Sequence, residues 1–384
     1  MSGRRGWLLA VLALAGWFAY LDNLLWAFVL IYSAVLVALL AAAWSWWCAR
    51  HLRLFRETSE GRRVAGEQLV ERFTLENRSG LSIRLVEVRD LSPLPGAAAT
   101  RVVSLAPRQI VTWDSTRWLN SRGRYELGPT ELRVADPFGL FPRRVTLPGT
   151  DTLVVYPCLV SVPCRSLPAA AASPPLGRPL GKASPGTQTL RPLPTTRSQR
   201  PPRDTPSTSA SDLLLLIDLR RASHHGDGPE SSLDYLVTLA ASVAHAASSH
   251  GRAVALAASD GRLSRIPAGR GELQDRALLE YLATARSDGL IPFSELVRRE
   301  MPGWRHRGGV VLITPDHGPE WVAAVAAASA PGARSLAIFV DPASFLARPA
   351  TRVPAQWRLV MNLWVVHRGD DLSRLDALHG RAVV

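Results

Sequence analysis

Two apolar runs lead into acids. LLLLIDL (213–219) carries Asp218 near its end and is followed by His224, His225 and Asp227, while VVLIT (310–314) runs into Pro315-Asp316-His317-Gly318. Acids at the carboxyl ends of buried strands stand where open α/β sheets hold ligands. Carboxylate oxygens suit Mg²⁺, and a histidine beside an aspartate suits general acid–base work. Asp218, His224, His225, Asp227 and Asp316 are therefore the candidate pocket edge. A structural reading stands beside this one: Asp218 as a strand-end residue bonded to backbone or to an arginine, and 224–227 as a solvated loop with too few ligands for a metal. His245 and His250 flank a helix end, where a cation favours the dipole. No Gly-x-Ser-x-Gly elbow, phosphate loop or Gly-rich dinucleotide fingerprint occurs. No catalytic residue, metal ligand or cofactor is assigned on this sequence.

A third acid sits in ADPFGLF (135–141). Asp136-Pro137-Phe138-Gly139 has the chemistry of a β-turn: the aspartate accepts a local hydrogen bond, the proline presets its backbone angle and the glycine closes the turn. No partner acid, base or metal ligand lies near in sequence, so the segment reads as a corner between strands. Val134, Leu140 and Phe141 are expected to pack into the sandwich.

Around these residues the chain changes character three times. Residues 1–56 hold two apolar runs, 7–21 and 24–47, separated by the turn signal Asp22-Asn23. The second run is long enough for a membrane span, for which about 20 residues suffice. The pair reads as a two-helix membrane anchor. A signal peptide competes for 1–20, but Trp17, Phe18 and Tyr20 occupy the place of a small-residue cleavage site. Arg4 and Arg5 before the runs, with Arg50 and Arg53 after them, are lipid-facing basic residues. They put both ends, and the soluble domains, in the cytoplasm.

Residues 57–164 show short alternating runs separated by turn signals, which suggests a β-sandwich. Residues 165–211, with ten prolines and a local charge of +6, read as a disordered Pro/Arg-rich linker. Residues 212–384 alternate continuous apolar runs with helical patterns, as in a doubly wound α/β sheet. Ser231 with Asp234 caps the first of those helices.

The net charge of +13 is concentrated in the anchor and the linker, beside the membrane. Anionic headgroups therefore explain it better than nucleic acid does. Arg191, Arg197, Arg200 and Arg203 extend that lipid-binding reading into the linker. Three cysteines with irregular spacing form neither a disulfide framework nor a metal site.

The order of features resembles a bacterial membrane-protein family, domain of unknown function 58. The resemblance rests on the two apolar runs, Arg89-Asp90, Arg122-Gly123-Arg124-Tyr125, Gly128-Pro129 and Asp136-Pro137-Phe138-Gly139. It implies structural roles for Arg122, Gly123, Tyr125, Gly128, Pro129, Asp136, Pro137, Phe138 and Gly139. It further implies a von Willebrand factor A-like C-terminal domain and association with a MoxR-type AAA ATPase. Domains of that kind hold an ion through an Asp-x-Ser-x-Ser loop. Here the matching stretch is Asp218-Leu219-Arg220-Arg221-Ala222, so both serine positions are lost, to Arg220 and Ala222. The His-Trp pair usual between the family's two domains is missing as well.

The function expected is that of a membrane-anchored cytoplasmic interaction or adaptor protein, not an enzyme, with the bilayer, an AAA ATPase and other membrane proteins as partners. A hydrolase or ligand-binding protein using the carboxyl edge of the C-terminal sheet is the alternative.

Overall fold

A computed structural model describes residues 13, 16–17, 25–58, 62–94, 100–147, 151–162, 167–168, 212–304, 308–329 and 335–372. The chain divides into two compact units, Met1–Tyr156 and Pro157–Val384. Arg4, Arg5, nearly all of the first apolar run, most of the linker and residues 373–384 lie outside the described residues. Leu167 and Pro168, at the linker's start, are buried.

The first unit opens with helix α1, Leu25–His51. Its stretch Phe28–His51 has a mean hydropathy of 2.2 and is long and apolar enough to cross a membrane. Gly16 lies near Ile31: a Cβ built on it would stand 3.8 Å from Ile31 Cδ1. Without a break α1 passes into β1, Leu52–Thr58. The strands that follow are β2 (Arg63–Val64), β3 (Gln68–Asn77), β4 (Ile83–Asp90), β5 (Thr100–Leu105) and β6 (Ile110–Trp118). After them come β7 (Gly123–Leu127), β8 (Thr130–Val134), β9 (Arg143–Leu147) and β10 (Asp151–Tyr156).

These strands make three sheets, ordered β1-β3-β6, β5-β4-β8-β9 and β2-β10-β7. Alternation along β3 turns Leu69, Glu71, Phe73, Leu75 and Asn77 inward. Phe73, Leu75 and Trp113 of the first sheet share one core with Ile83, Val86, Val88, Leu132 and Val134 of the second. Cys48 and Leu52 join it from the end of α1 and the start of β1, with Trp44 and Trp47 packed alongside.

The second unit contains β11 (Asp212–Ile217), α2 (Ser232–Ser249), β12 (Val254–Ala258), β13 (Arg265–Gly269), α3 (Glu272–Thr284) and α4 (Phe293–Glu300). It continues with β14 (Gly308–Thr314), α5 (Pro319–Ala328), β15 (Ser335–Val340), the single turns α6 (Pro342–Phe345) and α7 (Trp357–Val360), and β16 (Asn362–Val366). The sheet order is β13-β12-β11-β14-β15-β16. All neighbours are parallel except the edge strand β13, which pairs antiparallel with β12. Every described residue of β12 and β15 is buried, as continuous apolar runs in a covered parallel sheet require.

Leu214, Leu216, Leu312 and Phe339 pack with Phe293 and Val297 of α4, Trp321 of α5 and Trp357 of α7. Leu213, Leu215 and Ile217 alternate to the other side, where α2 lies against β11, β12, β14 and β15. Ser231 caps α2, its hydroxyl accepting from the Asp234 N–H at 3.2 Å. The chain order thus reverses at β11, between β12 on one side and β14 on the other. That is where open α/β sheets leave a crevice at their carboxyl edge.

Candidate functional site

Asp218 leaves β11 at this reversal and is fully buried. Three donors close on its carboxylate. The Arg220 N–H and the Ser259 hydroxyl reach Oδ1 at 3.0 and 3.1 Å, and the Thr314 hydroxyl reaches Oδ2 at 2.8 Å. Burial still pushes the Asp218 carboxyl up to about 6, against the lowering effect of those hydrogen bonds. Asp316, at the end of β14, adds to the rise.

His224 folds back onto this strand end, with Nε2 2.8 Å from the Asp218 carbonyl oxygen and Nδ1 3.3 Å from Ser232 Oγ. Asp316 joins through Thr314, whose hydroxyl accepts the Asp316 N–H at 2.9 Å. Its own carboxylate accepts from Gly318 N–H at 2.8 Å. The fold therefore gathers Asp218, His224 and Asp316. It leaves Asp227 exposed, and the main chain of His225 is tied to Ser232 Oγ at 2.8 Å. Arg220 and Ala222 begin the loop, and the Arg220 contribution to the site is its backbone N–H.

A segment absent from the sequence reading covers the edge. Gly289 lies across the ends of β11 and β12: its N–H donates to Leu219 O at 3.1 Å, and its carbonyl accepts from Arg221 N–H at 2.9 Å. A Cβ there would meet Ser259 O at 1.7 Å, so only glycine fits. Asp341, after β15, is likewise fully buried and takes bonds from Ala343 N–H, Thr351 N–H and the Thr351 hydroxyl at 3.1, 3.1 and 2.6 Å. Asp218 and Asp341 point into the protein and have both of their oxygens hydrogen-bonded, whereas Asp316 is half-buried and Asp227 exposed. Cavities of about 180 and 360 Å³ lie elsewhere, lined by none of the five predicted residues. Among the described residues no group of three or more His, Cys, Asp or Glu side chains is arranged to hold a metal ion. His245 instead pairs with Asp275 at 3.1 Å, and His250 Nδ1 lies 2.8 Å from Ala246 O at the end of α2.

Two signature segments of the first unit meet at a different, buried charged group. Glu71 and Asp90 are buried and share Arg56 and Arg117. Arg56 contacts Glu71, and also Asp90 at 3.3 Å, while Arg117 contacts Asp90 and lies 4.0 Å from Glu71. Ser92 joins Asp90 through its hydroxyl at 2.6 Å and accepts the Gly128 N–H at 2.7 Å. Pro129 O takes the Leu91 N–H at 2.9 Å. Arg89-Asp90 and Gly128-Pro129, distant in sequence, meet here. Burial brings the Arg122 guanidinium down to about 10, Gly123 packs on the Tyr125 ring, and the Tyr125 hydroxyl pairs with Ser121 at 2.9 Å.

At the corner, Asp136 is buried, with Oδ1 accepting Phe138 N–H at 2.9 Å and Oδ2 accepting Phe141 N–H at 2.6 Å. Gly139, at φ 68°, closes the turn by donating to Asp136 O. Pro137 and Phe138 project to solvent. Arg50 stacks on Trp46 at 3.8 Å, and Arg53 is exposed on β1. The sequence reading missed the buried network. Its signal was Glu71, a charge at an inward position of an alternating strand.

Residues 195–342 match the family described as "Protein of unknown function DUF58". The chain carries a DUF58 domain. The match spans the sheet from β11 to β15 with its carboxyl edge, downstream of the Arg122–Phe141 motifs that first suggested the family. No curated protein matches the chain. Among solved structures, a FixG-related protein from Vibrio parahaemolyticus aligns over 27% of this chain and 96% of its own, at 10% identity and a TM-score of 0.19. A β-glucosidase, EmGH1, from Erythrobacter marinus aligns over 25% of this chain and 15% of its own, at 12% identity and 0.16. A GH20 exo-β-N-acetylglucosaminidase from Vibrio harveyi aligns over 76% and 57%, at 11% identity and 0.20. The chain spans a small part of the glucosidase's length, and scores this low transfer neither fold nor activity.

Proposed function

We propose that this DUF58 protein is a membrane-anchored interaction protein that presents its β-rich unit and its α/β unit to cytoplasmic partners. The observation carrying this reading is the closed carboxyl edge, where Asp218 spends both oxygens on Arg220, Ser259 and Thr314. Three donors occupy three of the carboxylate's roughly four acceptor positions, and burial keeps the group away from a substrate or an ion in solution.

The face-to-face packing of two antiparallel sheets supports a β-sandwich. The strand order β13-β12-β11-β14-β15-β16 supports a doubly wound, von Willebrand factor A-like domain. In such a domain Arg220 and Ala222 replace the serines that would complete an ion site. The approach of Gly16 to Ile31 supports a two-span hairpin, and its arginine flanks favour cytoplasmic ends. The family resemblance supplies the partner, a MoxR-type AAA ATPase acting in protein assembly or cell-envelope processes.

The alternative, a hydrolase or ligand-binding protein, draws on the raised Asp218 pKa and the adjacent His224. Copurification separates the two. Full-length protein in detergent, captured from its native host, is expected to retain an AAA ATPase that a bait lacking residues 212–384 loses. Capture of the ATPase equally by both baits, or by neither after crosslinking, removes the docking role of the α/β unit.

A further inference from the structure

The register of the first unit fixes which of its ends adjoins the membrane helix. His51 ends α1, and its carbonyl accepts the Arg78 N–H at 2.9 Å. Leu52 lies opposite Asn77, Ile110 opposite Glu76, Ile83 opposite Leu105, and Val86 opposite Val134. The loop after β3, the turn between β5 and β6, and the Asp136–Phe141 corner between β8 and β9 therefore all lie at the α1 end.

No spacer separates this end from the helix. A span of about 20 residues counted from Leu25 reaches Trp44, and Trp44 is already packed on the β core. With Trp47 and Cys48 in the same core, α1 cannot swing away from the domain without unpacking it. The end loops are held at the depth of the lipid headgroups.

Their surface suits that depth. Phe138 is 65% exposed, Ile110 60% and Leu81 47%. Exposed Arg53, Arg108 and Arg143 stand among them at strand ends and turns, with Arg50 on the helix. The acid of the corner, Asp136, is buried beneath its own turn, and Glu76 is paired with Arg78 at 3.1 Å. Apolar tips amid arginines are the chemistry of a surface that sits on an anionic bilayer.

We propose that the α1 end of the β-rich unit is a membrane-contact surface, with Phe138 at the tip of the Asp136–Gly139 turn entering the headgroup layer of an anionic bilayer. It rests on the reading of α1 as a membrane span. The turn that caps a sheet corner then has a second use: it holds an aromatic side chain outward at the depth of the headgroups.

The test uses the full-length chain in vesicles of phosphatidylglycerol and phosphatidylcholine. Cys158 and Cys164 become serine, buried Cys48 stays, and a polarity-sensitive fluorophore is attached at Phe138→Cys or, as control, at exposed Gln68→Cys on the opposite end. Flotation after an alkaline wash comes first, and failure to float sinks the membrane span itself. For protein that floats, headgroup-level spin-labelled lipid is expected to quench the probe at 138 several-fold more than at 68. Arg108→Glu with Arg143→Glu is expected to reduce that quenching several-fold, as are vesicles of phosphatidylcholine alone. Equal quenching at 138 and 68 in floating protein overturns the contact surface while leaving the anchor intact. Quenching indifferent to lipid charge and to the two arginines overturns its electrostatic part.

Discussion

Replacing Asp90 by alanine is expected to destabilise the β-rich unit by on the order of 3–5 kcal/mol, the usual cost of breaking a buried ion pair from one side. Asp90 is 1% exposed and neutralises two arginines, Arg56 and Arg117, whose side chains are 12% and 5% exposed. Without it, Glu71 alone faces both guanidinium groups, and the Ser92 hydroxyl that also holds Gly128 N–H loses its acceptor. Asp90→Asn keeps an acceptor for Ser92 and is expected to cost less. The exposed pair Arg72–Asp114 is the control, since screened surface pairs contribute little. Thermal unfolding of the full-length protein in detergent, followed by near-ultraviolet circular dichroism, separates these cases. If Asp90→Ala shifts the midpoint no more than Asp114→Ala does, the network is not what holds the two sheets together.

Asp218→Ala is expected to have a comparable effect in the α/β unit, because Arg220 N–H and the hydroxyls of Ser259 and Thr314 lose their acceptor. Each buried donor left unpaired costs about 1–3 kcal/mol. Asp218→Asn behaves differently. It keeps an acceptor and removes the burden of a buried charge, which can be read from pH. The unfolded aspartate titrates near 3.9, whereas burial holds the folded one at about 6. Between those values the folded state binds more protons than the unfolded state, so this residue's contribution falls as pH rises through the window. At pH 7 the loss is on the order of 3 kcal/mol. Measured as the difference between wild type and Asp218→Asn across pH 4 to 7, wild type should lose ground steadily. A constant difference would mean that Asp218 is solvated.

Much of this architecture is legible in the chain. The continuous runs at 213–219, 253–258, 310–314 and 335–340 became parallel neighbours because only a strand covered on both faces needs so little polarity. The Ser231 cap and the Asp136 corner are local hydrogen-bond patterns, so their residues announce them. The sequence reading passes over three things. Strand β13 is a short, largely exposed edge strand, and nothing in RIPAG alternates. The partners of Asp218 lie 41 and 96 residues away, where no spacing rule reaches. Gly289 looks like an ordinary turn glycine until the backbone of Ser259 is seen against it. Loss of the two serine positions says that the loop after β11 lacks hydroxyl ligands, but not that the hydroxyls of Ser259 and Thr314 bond Asp218 instead.

The divalent-ion dependence of unfolding tests this closed edge most directly. Full-length wild type and Asp218→Asn would be melted in detergent at pH 7 with excess Mg²⁺ or with a chelator. The account predicts that Mg²⁺ moves neither midpoint, since Asp218 is fully buried and both of its oxygens are already hydrogen-bonded. A midpoint that rises with Mg²⁺ in wild type but not in Asp218→Asn would contradict it and return the carboxyl edge to the status of a working ion site.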